Sequence, residues 1–268
     1  MNSSFSFQRL FLLIRKQWAE NNRFYGLATL ALLGVMAMVF IIFWIMMDHP
    51  YYREDHTLSI YFVGLFLLGC LFASTSFQAL GEKEKGQYWL SLPATHAEKL
   101  VTVILFSTVL FFVVYTACFL LVKWLALSYV QFRMHSVPII EYQKIDWTKN
   151  VSIVVPYLLL CFMAVQALFL LGSIYFRKYA YVKTIILGAC FFGAYVFVMF
   201  KMYNGFLPEN YHWEVYRVVF NNFPDNNGIY HQYSFGETFN QVLLAIVKWI
   251  WAPVFWVIAW FRLREKEI

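Results

Sequence analysis

The sequence predicts an all-α, polytopic membrane fold: six transmembrane helices preceded by an N-terminal interfacial amphipathic helix, with both termini cytoplasmic. Three observations lead there. The 268 residues are 61% hydrophobic and only 13% charged, with 29 Phe and 18 Tyr, which is about half the charge content of a soluble domain. Six runs are long and apolar enough to cross a bilayer, for which about 20 residues are needed. Basic residues collect on one side of those runs.

The first element is a helix over residues 5–20. Phe7, Leu10, Phe11, Ile14 and Trp18 fall on one α-helical stripe. Arg9, Lys16 and Glu20 lie mainly away from it. Residues 1–23 are therefore expected to lie flat on the inner leaflet, as an anchor or as a lever touching a cytosolic partner. The first span, Phe24–Met47, has no charge and holds twelve Leu, Ile, Phe or Val residues. Each contributes about −0.3 to −0.6 kcal/mol near the bilayer centre, together about −4 to −7 kcal/mol. The remaining spans are Leu58–Leu80, Val101–Leu127, Ser152–Phe176, Thr184–Phe200 and Asn240–Phe261. The fifth is short, the third carries Lys123 near its far end, and the sixth carries Lys248. None alternates as barrel strands do, and backbone groups in hydrocarbon must be satisfied within the segment. A cleaved leader is not expected, because no small-residue cleavage pattern follows the first long run.

Orientation follows from Lys and Arg. The N-terminal segment, residues 81–100, the loop between spans four and five, and the tail carry thirteen basic residues. The opposite loops carry six, with nine acids. The net charge of +6 is thus mainly a topology signal, and no nucleic-acid partner is expected. Tyr51, Tyr52, Trp124 and Tyr129 fall at outer boundaries, and Tyr88, Trp89, Tyr179 and Tyr181 at inner ones, as interfacial aromatics do. Cys70, Cys118, Cys161 and Cys190 all lie inside apolar runs and read as small buried side chains. The six histidines are scattered, and none is assigned to chemistry. The outer loops are residues 128–151 and 201–239. The second contains Trp213–Phe223 and a turn-rich Pro-Asp-Asn-Asn-Gly, which fits short helices on the rim or a plain loop. One membrane domain covers 1–268.

The segment GEKEKGQYWLSLPATHAEKL, Gly81–Leu100, is a charged hook between two apolar runs. Thr95-His-Ala-Glu98 has the spacing of a capping box, which gives the third span a defined start. Pro93 discourages helix at Leu92. Gln87–Leu92 has room for about one and a half helical turns, presenting Tyr88, Trp89 and Leu92. Interface anchoring explains those aromatics, and so does docking to a partner. Gly81 and Gly86 have the glycine spacing of a phosphate loop, but Gln87 and Tyr88 stand where Lys and Ser or Thr are needed. The chain is therefore not expected to be an enzyme or to hold a cofactor.

The hook resembles the coupling segment of membrane permease subunits of ATP-binding-cassette (ABC) transporters of the type-2 export class. The similarity is carried by Glu82, Lys85, Gly86, Leu90, Leu92, Pro93, Ala94, Glu98 and Lys99, by the topology, and by the ending WFRLREKEI. The resemblance implies that residues 81–100, Tyr88 among them, couple to a separate cytosolic ATPase that holds ATP and Mg. It implies a second permease copy or paralogue, and a bacterial inner membrane. Ala189-x-x-x-Gly193 is a small-xxx-small pair suited to close helix packing. Ser76, Gln78, Thr116 and Gln166 border or enter the spans, where they line a substrate path or hydrogen-bond between helices. The aromatic, sparsely charged spans suit an amphiphilic cargo. Two other classes compete. An intramembrane enzyme would need acids or histidines at membrane depth, and the six runs contain none. A non-transporting polytopic module (a sensor, immunity protein or assembly scaffold) fits the spans equally well.

Overall fold

The computed structural model describes residues 5–42, 51–81, 83–136, 141–143, 151–176, 178–206, 211–213, 219–222, 232–234, 238, 241–242, 245 and 249–266. Helices dominate: α1 (Phe7–Ile41), α2 (Glu54–Thr75), α3 (Lys83–Ser91), α4 (His96–Ile104), α5 (Phe111–Ser136), α6 (Val151–Tyr175), α7 (Ala180–Phe206) and α8 (Trp251–Glu265). Among the described residues, five helical stretches are long and apolar enough to cross a membrane: Phe7–Ile41, His56–Thr75, His96–Tyr129, Val154–Tyr175 and Ala180–Val198. That marks an integral membrane protein. Much of the sixth run, Asn240–Phe261, lies outside the described residues, and α8 covers its end.

The first difference from the sequence reading concerns the N-terminus. The interfacial helix and the first span are one continuous helix of 35 residues, about 52 Å long at 1.5 Å per residue. No proline separates Glu20 from Phe24, and the polar side chains at the join feed the helix. Asn21 Nδ2 donates to the Gln17 carbonyl at 3.1 Å, and Thr29 Oγ1 to the Tyr25 carbonyl at 2.8 Å. The expected stripe is largely open, with Phe7 80% and Phe11 66% exposed. A change in composition is not a helix end.

A second difference lies in the third span. α4 and α5 are joined without a break through a π-helical turn, Leu105–Leu110, so the helix runs from His96 to Ser136. The wider turn buries Phe106, Ser107 and Thr108. Such turns concentrate at functional positions.

In the loops, β1 (Tyr51–Arg53) pairs in parallel with β2 (Glu141–Gln143). In the stretch read as loop or short helices, β3 (Tyr211–Trp213), β4 (Val219–Asn222) and β5 (Gln232–Ser234) form an antiparallel meander. The fifth span, short on the sequence, sits in a helix of 27 residues, because Lys201 and its neighbours continue the turn that hydropathy alone would end.

The helix α6 is the hub, touching α2, α7 and α8, while α1 rests on α4 and α5. Three clusters fill the bundle among the described residues, the smallest of them Cys70, Ala73 and Phe169. Met36, Phe40, Phe62, Leu65, Tyr115, Phe119 and Phe162 join α1, α2, α5 and α6. Phe77, Leu100, Val103, Leu170, Ile174, Ala259 and Leu263 join α4, α6 and α8 at the hook end. Lipid tails are as apolar as these side chains, so shape fit rather than water exclusion holds such helices together. Cys70 and Cys118 are buried as expected, but Cys161 and Cys190 are exposed on the faces of α6 and α7. An apolar face turned outward accepts a thiol as readily as a core does.

Candidate functional site

The hook folds as a turn of 3-10 helix (Gln78–Gly81), then α3, then a bend over Leu92–Ala94. The α3 helix is longer than Gln87–Leu92, and Gly86 is buried within it. Pro93 does end the helix: α3 stops at Ser91, and Thr95 starts α4 in an extended conformation. The capping box is present. The Glu98 amide donates to Thr95 Oγ1 at 3.2 Å, and the Thr95 amide donates to Glu98 Oε2 at 2.9 Å.

The Glu98 carboxylate does more than cap its own helix. Its Oε1 accepts from the Ser6 amide at 2.7 Å and from Arg9 Nη2 at 3.0 Å, while the side chain is 0% exposed. Two backbone amides and a guanidinium converge on two oxygens, an arrangement that calls for the ionised acid. The start of α1 is thereby tied to the start of α4 across some ninety residues of sequence. No local spacing reveals Arg9 or Ser6 as its partners.

Trp89 is the second root. Its ring meets Phe77 edge-on at 5.6 Å and lies under the Lys99 ammonium at 5.4 Å. Replacing Trp89 by Ala is expected to remove both contacts and loosen α3 by about 1–2 kcal/mol. The readout is faster amide hydrogen exchange in residues 83–91, with the exchange of α6 unchanged. Equal protection of α3 in both proteins would refute the role.

The tail closes the same end. Lys266 Nζ donates to the Ile174 carbonyl at 2.5 Å, satisfying an orphan carbonyl at the α6 C-terminus. Arg262 lies 4.8 Å from the Tyr175 ring centroid and bonds Glu265 at 2.6 Å. The Glu265 hydrogen bond and charge raise the guanidinium pKa above its ordinary value. Tyr179, at φ 55°, makes the tight turn from α6 into α7 in the left-handed region that non-glycine residues rarely enter.

The sequence-predicted hook residues separate into two groups. Gly86, Glu98 and Lys99 are buried, and Leu92 is half-buried; Tyr88 and Pro93 are exposed. Lys85 and Leu90 belong to α3, and Glu82 lies outside the described residues. Lys16 stands 4.4 Å over the Tyr88 ring, whose hydroxyl donates to Glu20 at 3.3 Å. The exposed rim of α3 is Glu84, Gln87, Tyr88 and Ser91.

The four path residues have four different surroundings. Ser76 lines a cavity at the hook end, and Gln78 is exposed on the 3-10 turn. Thr116 Oγ1 is bonded to the Tyr61 hydroxyl at 2.9 Å between α5 and α2. Gln166 is 1% exposed, packed against Gly69, and its amide has no hydrogen-bond partner. Gly193 of the small-xxx-small pair meets nothing within 4 Å.

The cavity at the hook end has a volume of about 360 Å3. It lies between α1, the end of α2, α3 and α4, with Lys16, Glu20, Lys99 and Ser107 among its polar lining. Tyr25 and Phe106, stacked at 5.5 Å, are part of its lining. Among the described residues, no group of His, Cys, Asp and Glu is placed to hold a metal. Comparison with protein-family models, curated proteins and solved structures finds no match.

Proposed function

We propose that the chain is the permease subunit of an ATP-driven exporter of the type-2 ABC class, with ATP and Mg held by a separate cytosolic ATPase. The observation that carries this reading is the hook's construction. A short helix with an exposed polar rim is fastened through Trp89, Lys99 and Glu98 to the starts of α1 and α4. A push on α3 would reach three helices, because the α4 start is also packed on the tail helix α8.

Ser6, Glu98 and Lys266 gather at one end of the bundle. That supports an even number of crossings, hence the sixth span, with both termini on the hook side. The excess of Lys and Arg on that side supports a cytoplasmic hook, and the resemblance of the hook to type-2 ABC permeases implies a bacterial inner membrane. The open face of α7, with Phe191, Phe192, Phe197 and Gly193, is where a second permease copy or paralogue would pack. The cargo is amphiphilic, and the chain itself is not an enzyme.

The test uses residues whose side chains the chain's own packing does not need. Glu84 and Gln87 are exposed on α3. With a cytosolic ABC-type ATPase co-expressed as the candidate partner, Glu84→Arg plus Gln87→Trp is expected to lower the co-purified ATPase about tenfold or more, as loss of an interface hot spot does. The thermal stability of the permease alone stays unchanged. Unaltered ATPase binding would remove the docking reading and leave a non-transporting membrane module.

A further inference from the structure

We infer that the contact of α2 with α6 at Gly69 is a gate: when α2 moves, water from the hook-end cavity reaches the Gln166 amide, and Phe72 and Phe111 are the plug between them. The starting point is that amide. Gln166 is 1% exposed, and among the described residues neither its Nε2 nor its Oε1 has a hydrogen-bond partner. It sits within the span Val154–Tyr175, where the lipid side offers no water. A polar group buried without a partner costs more than a made bond gains, and an apolar side chain of the same shape would carry no such cost. The closed packing of α2 on α6 therefore holds free energy that an opening releases, once the amide meets water.

The geometry places water close by. A Cβ at Gly69 would overlap Gln166 Nε2, and would stand 2.8 Å from Phe162 Cε2 and 3.2 Å from Phe111 Cε1. The amide is thus pressed on the α2 backbone where only glycine leaves room. The Phe111 ring also stacks on Phe72 at 5.5 Å. Phe72 follows Gly69 by one turn and lines the hook-end cavity. Glu20 and Tyr88, both exposed, lie in the same lining, so the cavity opens to solvent there. Ser107 lines it too, 1% exposed and with no hydrogen-bond partner among the described residues. A polar cavity of this size holds water. One stacked aromatic pair separates it from the second unpaired group.

The element that moves is α2. The hub helix α6 is fixed at its inner end by Lys266 on the Ile174 carbonyl and by the close approach of Gly172 to Thr184. In contrast, α2 passes from Thr75 into the 3-10 turn Gln78–Gly81 and on into α3. A displacement of the hook therefore acts on α2 before it acts on α6. The opening itself belongs to the chain alone and is measured without an ATPase, so it can fail while docking holds, and the reverse.

The experiment is amide hydrogen exchange of the full chain in detergent, with melting temperatures alongside. Gln166→Met keeps the length of the side chain and removes the amide. It is expected to raise the melting temperature by about 3–6 °C. It should also slow exchange in residues 66–73 about tenfold, while residues 117–127 of α5 keep the wild-type rate. Phe72→Ala removes the plug. It should speed exchange in residues 66–73 about tenfold with Gln166 present and less than threefold in the Gln166→Met background. That dependence separates a gate from a core merely loosened by a lost ring. If Gln166→Met does not fold, Gln166→Leu is read in its place. A lower melting temperature in both apolar variants, unchanged exchange on removing the amide, or an equal effect of Phe72→Ala in both backgrounds would each overturn the inference.

Discussion

Replacing Glu98 by Ala is expected to destabilise the bundle by about 3 kcal/mol, the lower end of the range for breaking a buried ion pair, and to release the start of α1. Three donors lose their acceptor at once: the Ser6 amide, the Thr95 amide and Arg9 Nη2. The Arg9 side chain is 34% exposed, so water recovers part of the guanidinium's loss, which is why the lower end applies. The N-cap of α4 also loses its reciprocal bond. Glu98→Gln should be milder, because one amide oxygen still accepts. Arg9→Met should be milder again, because both backbone donors keep their carboxylate. The order of melting temperatures in detergent, wild type above Arg9→Met above Glu98→Gln above Glu98→Ala, tests the reading. Faster hydrogen exchange at the start of α1 in Glu98→Ala tests the tie directly. A Glu98→Ala protein as stable as wild type would show that the carboxylate is only a local cap.

That carboxylate marks the border of what was legible. Thr95 and Glu98 are three residues apart, so the capping box is written in local spacing, and the structure contains it. Ser6 and Arg9 are paired with Glu98 across most of a hundred residues, and no period in the sequence encodes that. The five described spans were legible because a bilayer imposes a length and a composition on each. The junction within α1 was misplaced, because polarity changes at Phe24 while helix propensity does not. The π-helical turn at Leu105–Leu110 is not legible in the sequence: Leu-Phe-Ser-Thr-Val-Leu carries no proline or glycine to mark a change of helical period. The strands of the 201–239 loop were missed for want of a hydrophobic alternation long enough to count. Ser76, Gln78, Thr116 and Gln166 are polar residues in or beside apolar runs, and polarity alone does not say whether a side chain faces a conduit or another helix. Thr116 faces Tyr61.

Gly172→Val is expected to cost about 3 kcal/mol, the upper end for forcing extra carbon into a packed interface, and to move α7 off α6. A Cβ at Gly172 would stand 3.0 Å from both Thr184 Cβ and Cγ2, and would overlap Oγ1 outright. Thr184 has little room to yield. It is β-branched, which restricts its χ1, and its hydroxyl is engaged with the Ala180 carbonyl at 2.7 Å. The turn at Tyr179 fixes where α7 begins, so the helix cannot slide along its axis to escape. Lipid offers no hydrophobic penalty for separating the two helices, so once contact is spoiled little else draws them together. The smaller change Gly172→Ala isolates the cause. Alone it should destabilise by about 1–2 kcal/mol; combined with Thr184→Ala, which removes Oγ1 and Cγ2, at least half of that loss should return. Such recovery is a coupling energy between two touching side chains, and a general weakening of α6 would not produce it. Additive losses in the double variant would place the strain elsewhere and leave the close approach of α6 and α7 without an energetic role.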